Sequence, residues 1–443
     1  MGNTKAENII HSMDKFRDPE NLSRMRRLME KLGNPQDNLR FVHIAGTNGK
    51  GSVSRFIYEI LEASGYKTGI FTSPYIERFN ERIEVDHNLI SDSDLNRLTD
   101  KVMKAAEVLG RELEEAGKLE PGETPVTEFD MITAAAFLYF NEIKANPVVL
   151  EVGLGGRGDS TNVIRNPLAC VITTIGMDHT DRLGNTLGEI AGEKSGIIKA
   201  GCTVISAVTG EEAKSVIMDK ALELSAEFID VSEIKTQITE RSLAGTEFTV
   251  SGGKSYRIRM AGDHQVRNAL TALSAVEAMN RTGAVKADEA AVRKGLAAAV
   301  QPGRMEVIRR EGPVIVLDGA HNPEGAEALA KACGELFGGK RALIVTAMMK
   351  DKDIDGILSA FARAADGFIF TRTEDPRSEE PVTLAERAAA FGAGGETAGS
   401  AEEAVNKALE AADFDVIIFA GSLYLIGEVR HILREKGFLE EER

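Results

Sequence analysis

Short apolar runs alternate with stretches of helical periodicity along most of the chain. Residues 41–46 (FVHIAG) form a continuous apolar run, and a helical pattern follows from about 50 to 64. Further runs lie at 68–72, 147–152 (PVVLEV) and 168–174 (LACVITT). Continuous apolar runs separated by helices predict a parallel sheet covered on both faces. The segment 233–260 differs: it is polar, rich in Thr and Ser, and alternates as in TEFTV and SYRIRM. That pattern predicts a small antiparallel hairpin turning at 251–254. Helices are expected over 263–282 and 288–300, before Gln301-Pro302-Gly303-Arg304 interrupts the pattern. A second alternation follows, with strands at VIVLDG, ALIVTA, FIFT and VIIFAG and a closing helix. The expectation is an α/β chain of two domains. Residues 1–300 form a mostly parallel sheet flanked by helices, with the hairpin at about 233–260. Residues 301–443 form a Rossmann-like open α/β sheet.

Composition changes this picture in a few places. At about 150 residues per domain, 443 residues allow roughly two to four domains. Fifty-three Lys and Arg against 69 Asp and Glu give a net charge of −16, which argues against a broad nucleic-acid surface. The terminal charge cluster at 440–443 is read as a solvated end. Cys170, Cys202 and Cys333 are odd in number and form no CxxC, so they read as small buried residues in a reducing compartment. The N-terminal stretch has no apolar signal core, and no run of about 18 apolar residues exists. The expected protein is cytoplasmic and monomeric, without a membrane or nucleic-acid partner.

The strongest local signal is Gly46-Thr47-Asn48-Gly49-Lys50-Gly51-Ser52. It follows a strand and opens a helix, the context in which exposed backbone N–H groups, a positive helix end and a lysine receive phosphates. It departs from G-x-x-x-x-G-K-[ST], because Ile44 stands in place of Gly and Gly51 separates Lys50 from Ser52. The context favours nucleotide binding over a ligand-free glycine turn. Glu151 ends an apolar strand, where a carboxylate beside a phosphate loop suits Mg2+; a half-exposed strand-end acid is the bland alternative. Asp318 and His321 follow VIVL, at the strand end where open α/β sheets bind ligands. Thr127 or Glu128 is placed to cap a helix, which accounts for both without a ligand.

Taken in order, the motifs resemble the folylpolyglutamate synthases and dihydrofolate synthases, ATP-dependent amide-forming ligases related to the muramoyl amino-acid ligases. The resemblance rests on GTNGKGS, LGNPQ (32–36), TSPYIERFNERI (72–83), EVGLGGRGDSTN (151–162), DHTDRLGNTL (178–187) and EKSGIIKAG (193–201). It continues through HQVRNA (264–269), PGRMEV (302–307), DGAHNP (318–323), KDKDI (350–354) and GSLYLIGEV (421–429). It covers nearly the whole chain, and the shared order is more specific than any one segment.

The resemblance implies an ATP-driven condensation of L-glutamate with folates, and with dihydropteroate, through an acyl phosphate. It implies ATP contacts from Thr47, Asn48, Gly49, Lys50, Gly51, Ser52, Asn268, Arg304 and Asp318, with ATP lying between two domains. It implies magnesium ligation by Ser73, Glu151 and His179, with two Mg2+ sites. Histidine is unusual for so hard an ion, and Ser52 is an alternative hydroxyl donor. Lys194 is implied to carry a CO2-derived carbamate, whereas the bland reading pairs it with Glu193 or Glu189 and Lys199 serves as the decoy. Lys50, Lys194 and His321 are the implied catalytic residues. Recognition of pterin or folate falls to Arg82, Thr127, Glu128, Phe129, Asp130, Gly158, Asp159 and Ser160. A K+ ion is a further cofactor that the resemblance leaves open. Gly158, Arg182 and Cys202 depart from the family pattern, and Gly158 bears on the shape of the pterin pocket. A ligase restricted to one substrate, a muramoyl-type ligase and a non-catalytic nucleotide switch are the alternatives.

Overall fold

The computed structural model describes residues 4–14, 22–120, 123–309 and 312–440. Residues 441–443 of the terminal charge cluster lie outside them. The chain forms two compact units, 1–234 with 268–296, and 235–267 with 297–443.

The first unit is built on eight strands: β1 (Phe41–Ala45), β2 (Gly69–Phe71), β3 (Ile83–Val85), β4 (Asn88–Leu89), β5 (Val148–Glu151), β6 (Ala169–Ile172), β7 (Thr203–Ser206) and β8 (Glu227–Asp230). Their order is β4-β3-β2-β5-β1-β6-β7-β8. From β2 to β8 the ladder is parallel, and β3 and β4 close one edge antiparallel. Every residue of β1, β5 and β6 is buried, as expected for apolar strands covered on both faces. Helix Lys50–Ala63 lies over the sheet and buries Val53, Phe56, Ile57, Ile60 and Leu61. Helix Asp92–Glu115 starts at a Ser91 cap and turns an apolar stripe from Leu95 to Leu113 inward.

The second unit holds two sheets. One is three-stranded and antiparallel: β9 (Thr236–Ser242), β10 (Gly245–Val250) and β11 (Lys254–Ile258). The other contains β12 (Glu306–Arg309), β13 (Val314–Leu317), β14 (Ala342–Thr346), β15 (Gly367–Phe370), β16 (Gly395–Thr397) and β17 (Val416–Ala420), in the order β12-β13-β17-β14-β15-β16. All but β12 run parallel.

Two expectations change. The polar segment is a three-stranded meander rather than one hairpin, because a second turn precedes Gly245. It also groups with the second unit rather than with 1–300. The edge strands β12 and β16 have no apolar run to announce them; β16 is exposed throughout. Cys170 and Cys202, 32 positions apart, meet with their sulfurs 3.6 Å apart, and all three thiols are free and buried. Among the described residues, no helix is long and apolar enough to cross a membrane.

Candidate active site

The phosphate loop leaves β1 at Gly46, whose φ is +152°; a Cβ there would lie 1.8 Å from Thr173 Oγ1. Gly49 caps the following helix at φ +85°, and its Cβ would lie 2.5 Å from Asn268 Oδ1. Both positions therefore exclude a side chain, for crowding as well as for backbone conformation. The two residues after β6 brace the loop. Thr47 N donates to Thr174 O at 2.7 Å, Asn48 N to Thr174 Oγ1 at 3.1 Å, and Thr173 Oγ1 to Asn48 O at 2.6 Å. Strand β6 ends at Ile172, and the hydroxyls of the two threonines beyond it hold the loop.

Two lysines converge on one carbonyl. Lys50 Nζ donates to Gly46 O at 3.0 Å and to Thr47 O at 3.3 Å, while Lys194 Nζ donates to Gly46 O at 3.1 Å. Lys194 is 5% exposed, so the surface-lysine reading does not hold. Burial, reinforced by the neighbouring Lys50 charge, pushes its ammonium down to about 7 against the partial support of Asp178 and Asp159. Lys199 takes another direction, donating to Asn162 Oδ1 at 2.6 Å.

Glu151 sits at the C-terminal end of β5, in register with Ile44 of β1, and is 3% exposed. Ser73 N donates to its Oε2 at 3.4 Å, which brings two of the three expected metal ligands together. His179 caps the short helix Thr180–Leu183 in a left-handed conformation, with Nε2 3.9 Å from Asp178 Oδ1 and the side chain 40% exposed. Among the described residues, no group of three His, Cys, Asp or Glu side chains is arranged to hold a metal. The Glu151 carboxylate and the Ser73 hydroxyl are hard oxygen donors and fit Mg2+.

The expected pterin segments meet through one hydrogen bond. Thr127 and Asp130 form a capping box at the start of helix Glu128–Glu142, and Ser160 Oγ donates to Asp130 Oδ1 at 2.7 Å. Phe129 packs over Gly153, where a Cβ would lie 2.5 Å from the ring. Asp159 is buried and turned inward: it accepts from Gly153 N at 3.1 Å, Leu154 N at 2.9 Å, Thr161 N at 3.0 Å and the Thr161 hydroxyl. Burial pushes its carboxyl up, and these four donors oppose the shift. Gly158 beside it is half-buried. Arg82 is buried, its guanidinium 5.2 Å from the Tyr75 ring and 5.3 Å from the Phe79 ring. His11 joins this group to Glu128, with Nδ1 3.4 Å from Glu128 Oε1 and its ring edge-on to Phe79. The Glu128 hydrogen bond raises the His11 pKa.

In the second unit, Asp318 follows β13 and is 6% exposed. Its carboxylate accepts from Met305 N at 2.8 Å and Ala320 N at 2.9 Å, tying PGRM to DGAHNP. Gly319 N donates to Gly303 O at 2.7 Å, and a Cβ at Gly319 would lie 2.9 Å from Arg304 Nη1. His321 Nδ1 lies 2.7 Å from Gly319 O and is the donor of that pair. Asn322 caps helix Pro323–Phe337. His264 joins this group: burial pushes its pKa down, Asp318 pulls it up and Arg304 pushes it down.

Sequence reasoning passed over Thr173, Thr174, His11 and His264. The paired threonines ending an apolar run were a usable signal. His264 opens the HQVRNA motif, whereas His11 carries no local signal because its partner Glu128 is distant in sequence.

Likeness to known proteins defines the class as that of an ATP-dependent ligase. The Mur ligase middle domain matches residues 44–276, and the Mur ligase glutamate ligase domain matches 303–423. A dihydrofolate synthase/folylpolyglutamate synthase of Bacillus subtilis is 38% identical over 97% of this chain and 98% of its own. The folylpolyglutamate synthase of Lacticaseibacillus casei is 33% identical over 98% and 99%. Mycobacterium tuberculosis folylpolyglutamate synthase complexed with ADP superposes with a TM-score of 0.87 at 31% identity, covering 99% and 98% of the two chains. E. coli FolC in complex with DHPP and ADP gives 0.83 at 28%, covering 97% of each. This chain belongs to the dihydrofolate synthase/folylpolyglutamate synthase family of Mur ligases.

Proposed function

We propose that this chain joins L-glutamate to folates, and to dihydropteroate, in a condensation driven by ATP. The observation that carries the reading is the convergence of Lys50 and Lys194 on the Gly46 carbonyl of a braced phosphate loop, within this family. A carboxylate is a poor electrophile, so its phosphorylation by ATP supplies a leaving group that the glutamate amine then displaces. The chain's task is positioning and charge neutralisation.

In this reading Thr47, Asn48, Gly49, Gly51 and Ser52 receive phosphate oxygens, and Lys50 leaves its loop carbonyls to meet the terminal phosphate. Asn268, which lies beside Gly49, is proposed as a further ATP contact. Ser73 and Glu151, with His179 brought in, are proposed to hold Mg2+, which neutralises phosphate charge when bound. The segment 127–130, residues 158–160 and Arg82 are proposed to support the pterin. Arg304 and Asp318 serve ATP, and His321 presents Nε2 to the incoming amine. The division is read as ATP binding in 1–300 and glutamate ligation in 301–443, which the extents of the two family models support.

Lys194 is proposed to react with CO2 as its neutral amine: nitrogen attacks carbon, a proton leaves, and an anionic carbamate oxygen becomes available for a second Mg2+. A buried lysine whose pKa is about 7 supplies that neutral amine near pH 7. Rescue of Lys194→Ala by short carboxylic acids is expected, and unaltered activity in that variant excludes the role.

Turnover with dihydropteroate and with tetrahydrofolate, each with ATP and glutamate, tests the whole reading and separates a bifunctional from a restricted enzyme. Product from neither pterin rejects it. Repeating the assay with and without K+ decides the monovalent-cation requirement, and sedimentation decides whether the enzyme is the proposed monomer.

A further inference from the structure

A cavity of about 410 Å3 in the first unit is untouched by the mechanism above. Its walls include Arg26, Arg165, Lys199, Glu30, Gln36 and Asn162. Three cations face one acid there, in a chain whose net charge is −16. The ion pairs of these residues do not offset that excess. Among the described residues Arg165 pairs with Asp37, at 4.0 Å and with both side chains in solvent, and Lys199 donates to the neutral Asn162. Burial lowers the Lys199 pKa, and no carboxylate is among the groups that act on it. The cavity volume falls in the range of small-ligand sites.

The polar lining narrows the ligand. Guanidinium forks pair with carboxylates in two parallel hydrogen bonds. Gln36, also in the wall, donates through Nε2 to Asn34 Oδ1 at 3.2 Å. Carboxylates flanking an amide N–H are the repeating feature of a γ-glutamyl chain.

We propose that this cavity binds a small polycarboxylate, either the γ-glutamyl tail of a folate product or a free dicarboxylate. The ligand's identity, though not the site, rests on the folate-ligase reading. Occupancy would be felt at the pterin loop, because Asn162 is shared: it accepts from Lys199 and donates to Arg157 O at 3.0 Å and Gly196 O at 3.1 Å. Ser160, which holds Asp130, lies two residues away.

The test is isothermal titration of the full chain with γ-linked triglutamate and with glutarate, for the wild type and for Arg26→Ala/Arg165→Ala. The expected result is loss of binding by about tenfold or more in the double variant, weaker wild-type binding as salt rises, and a kcat for ligation kept within about twofold. A loss confined to triglutamate names the tail as the source. An equal loss for both probes names a free dicarboxylate. Unchanged affinity for both, or no binding of either by the wild type, overturns the proposal. Arg165→Glu alone, at a side chain 75% exposed, repeats the test if the double variant folds poorly. A wild type that binds triglutamate but ligates neither pterin would reject the function and leave the site standing.

Discussion

The phosphate loop at 46–52 and the loop at 151–162 both leave the C-terminal end of a parallel strand, and both are rich in glycine. They use their polar groups in opposite ways. In the first, outside groups hold the backbone: Thr173 and Thr174 brace it, and its own Lys50 rests on loop carbonyls. In the second, the loop's own Asp159 accepts from three backbone N–H groups and one hydroxyl. A motif residue is therefore a candidate for substrate contact in one loop and a positioning residue in the other. Motif membership alone does not separate these roles; the hydrogen-bond partners do.

The sharpest break of this contrast is Lys50→Ala. Removing the cation is expected to lower ligation by about a thousandfold while leaving the urea midpoint nearly unchanged, since Lys50 Nζ donates to carbonyls of its own loop. Persistent ligation would refute the assignment of Lys50 to the terminal phosphate. Gly46→Ala attacks the same loop through shape. A methyl 1.8 Å from Thr173 Oγ1 must displace the brace, at an expected cost of about 3 kcal/mol in stability and about a hundredfold in turnover. Equal stability of this variant and the wild type would show that the brace yields freely.

Asp159→Asn tests the other half of the comparison. An amide presents one acceptor oxygen where the carboxylate has two, and it introduces an N–H opposite existing donors. The expected loss is about 2–4 kcal/mol in urea unfolding, with the folate KM of the folded fraction little changed. A KM rise of about tenfold at unchanged stability would instead make Asp159 a direct ligand.

Much of this arrangement was legible in the sequence, for reasons that differ by residue. Strands β1, β5, β6 and β13 appear as apolar runs because both their faces are covered, and the phosphate loop appears because glycine is required at 46 and 49. The exposed strand β16 and the intermediate β12 have no such run. The burial of Lys194 was also hidden, since a lysine beside glutamates reads as solvated until its helix is seen against Gly46. His264, His11 and the Ser160–Asp130 bond depend on long-range packing, which local periodicity does not encode.

A pH effect follows from Lys194, the buried lysine on Gly46. Lys194 falls from the ordinary 10.5 to about 7 in the folded state. Between those values the unfolded chain binds a proton that the native chain does not. Stability should therefore rise with pH across that window, and the penalty of burying the ammonium is fully present below about 7. Lys194→Met removes the titrating group, so the slope of urea stability between pH 7 and 10 should flatten relative to the wild type. Ligation in bicarbonate should fall severalfold as pH drops through about 7, because the protonated amine cannot attack CO2. The stability and activity measurements separate burial from chemistry. A flattened slope with unchanged pH dependence of ligation would keep Lys194 as a buried lysine and remove the carbamate from the mechanism.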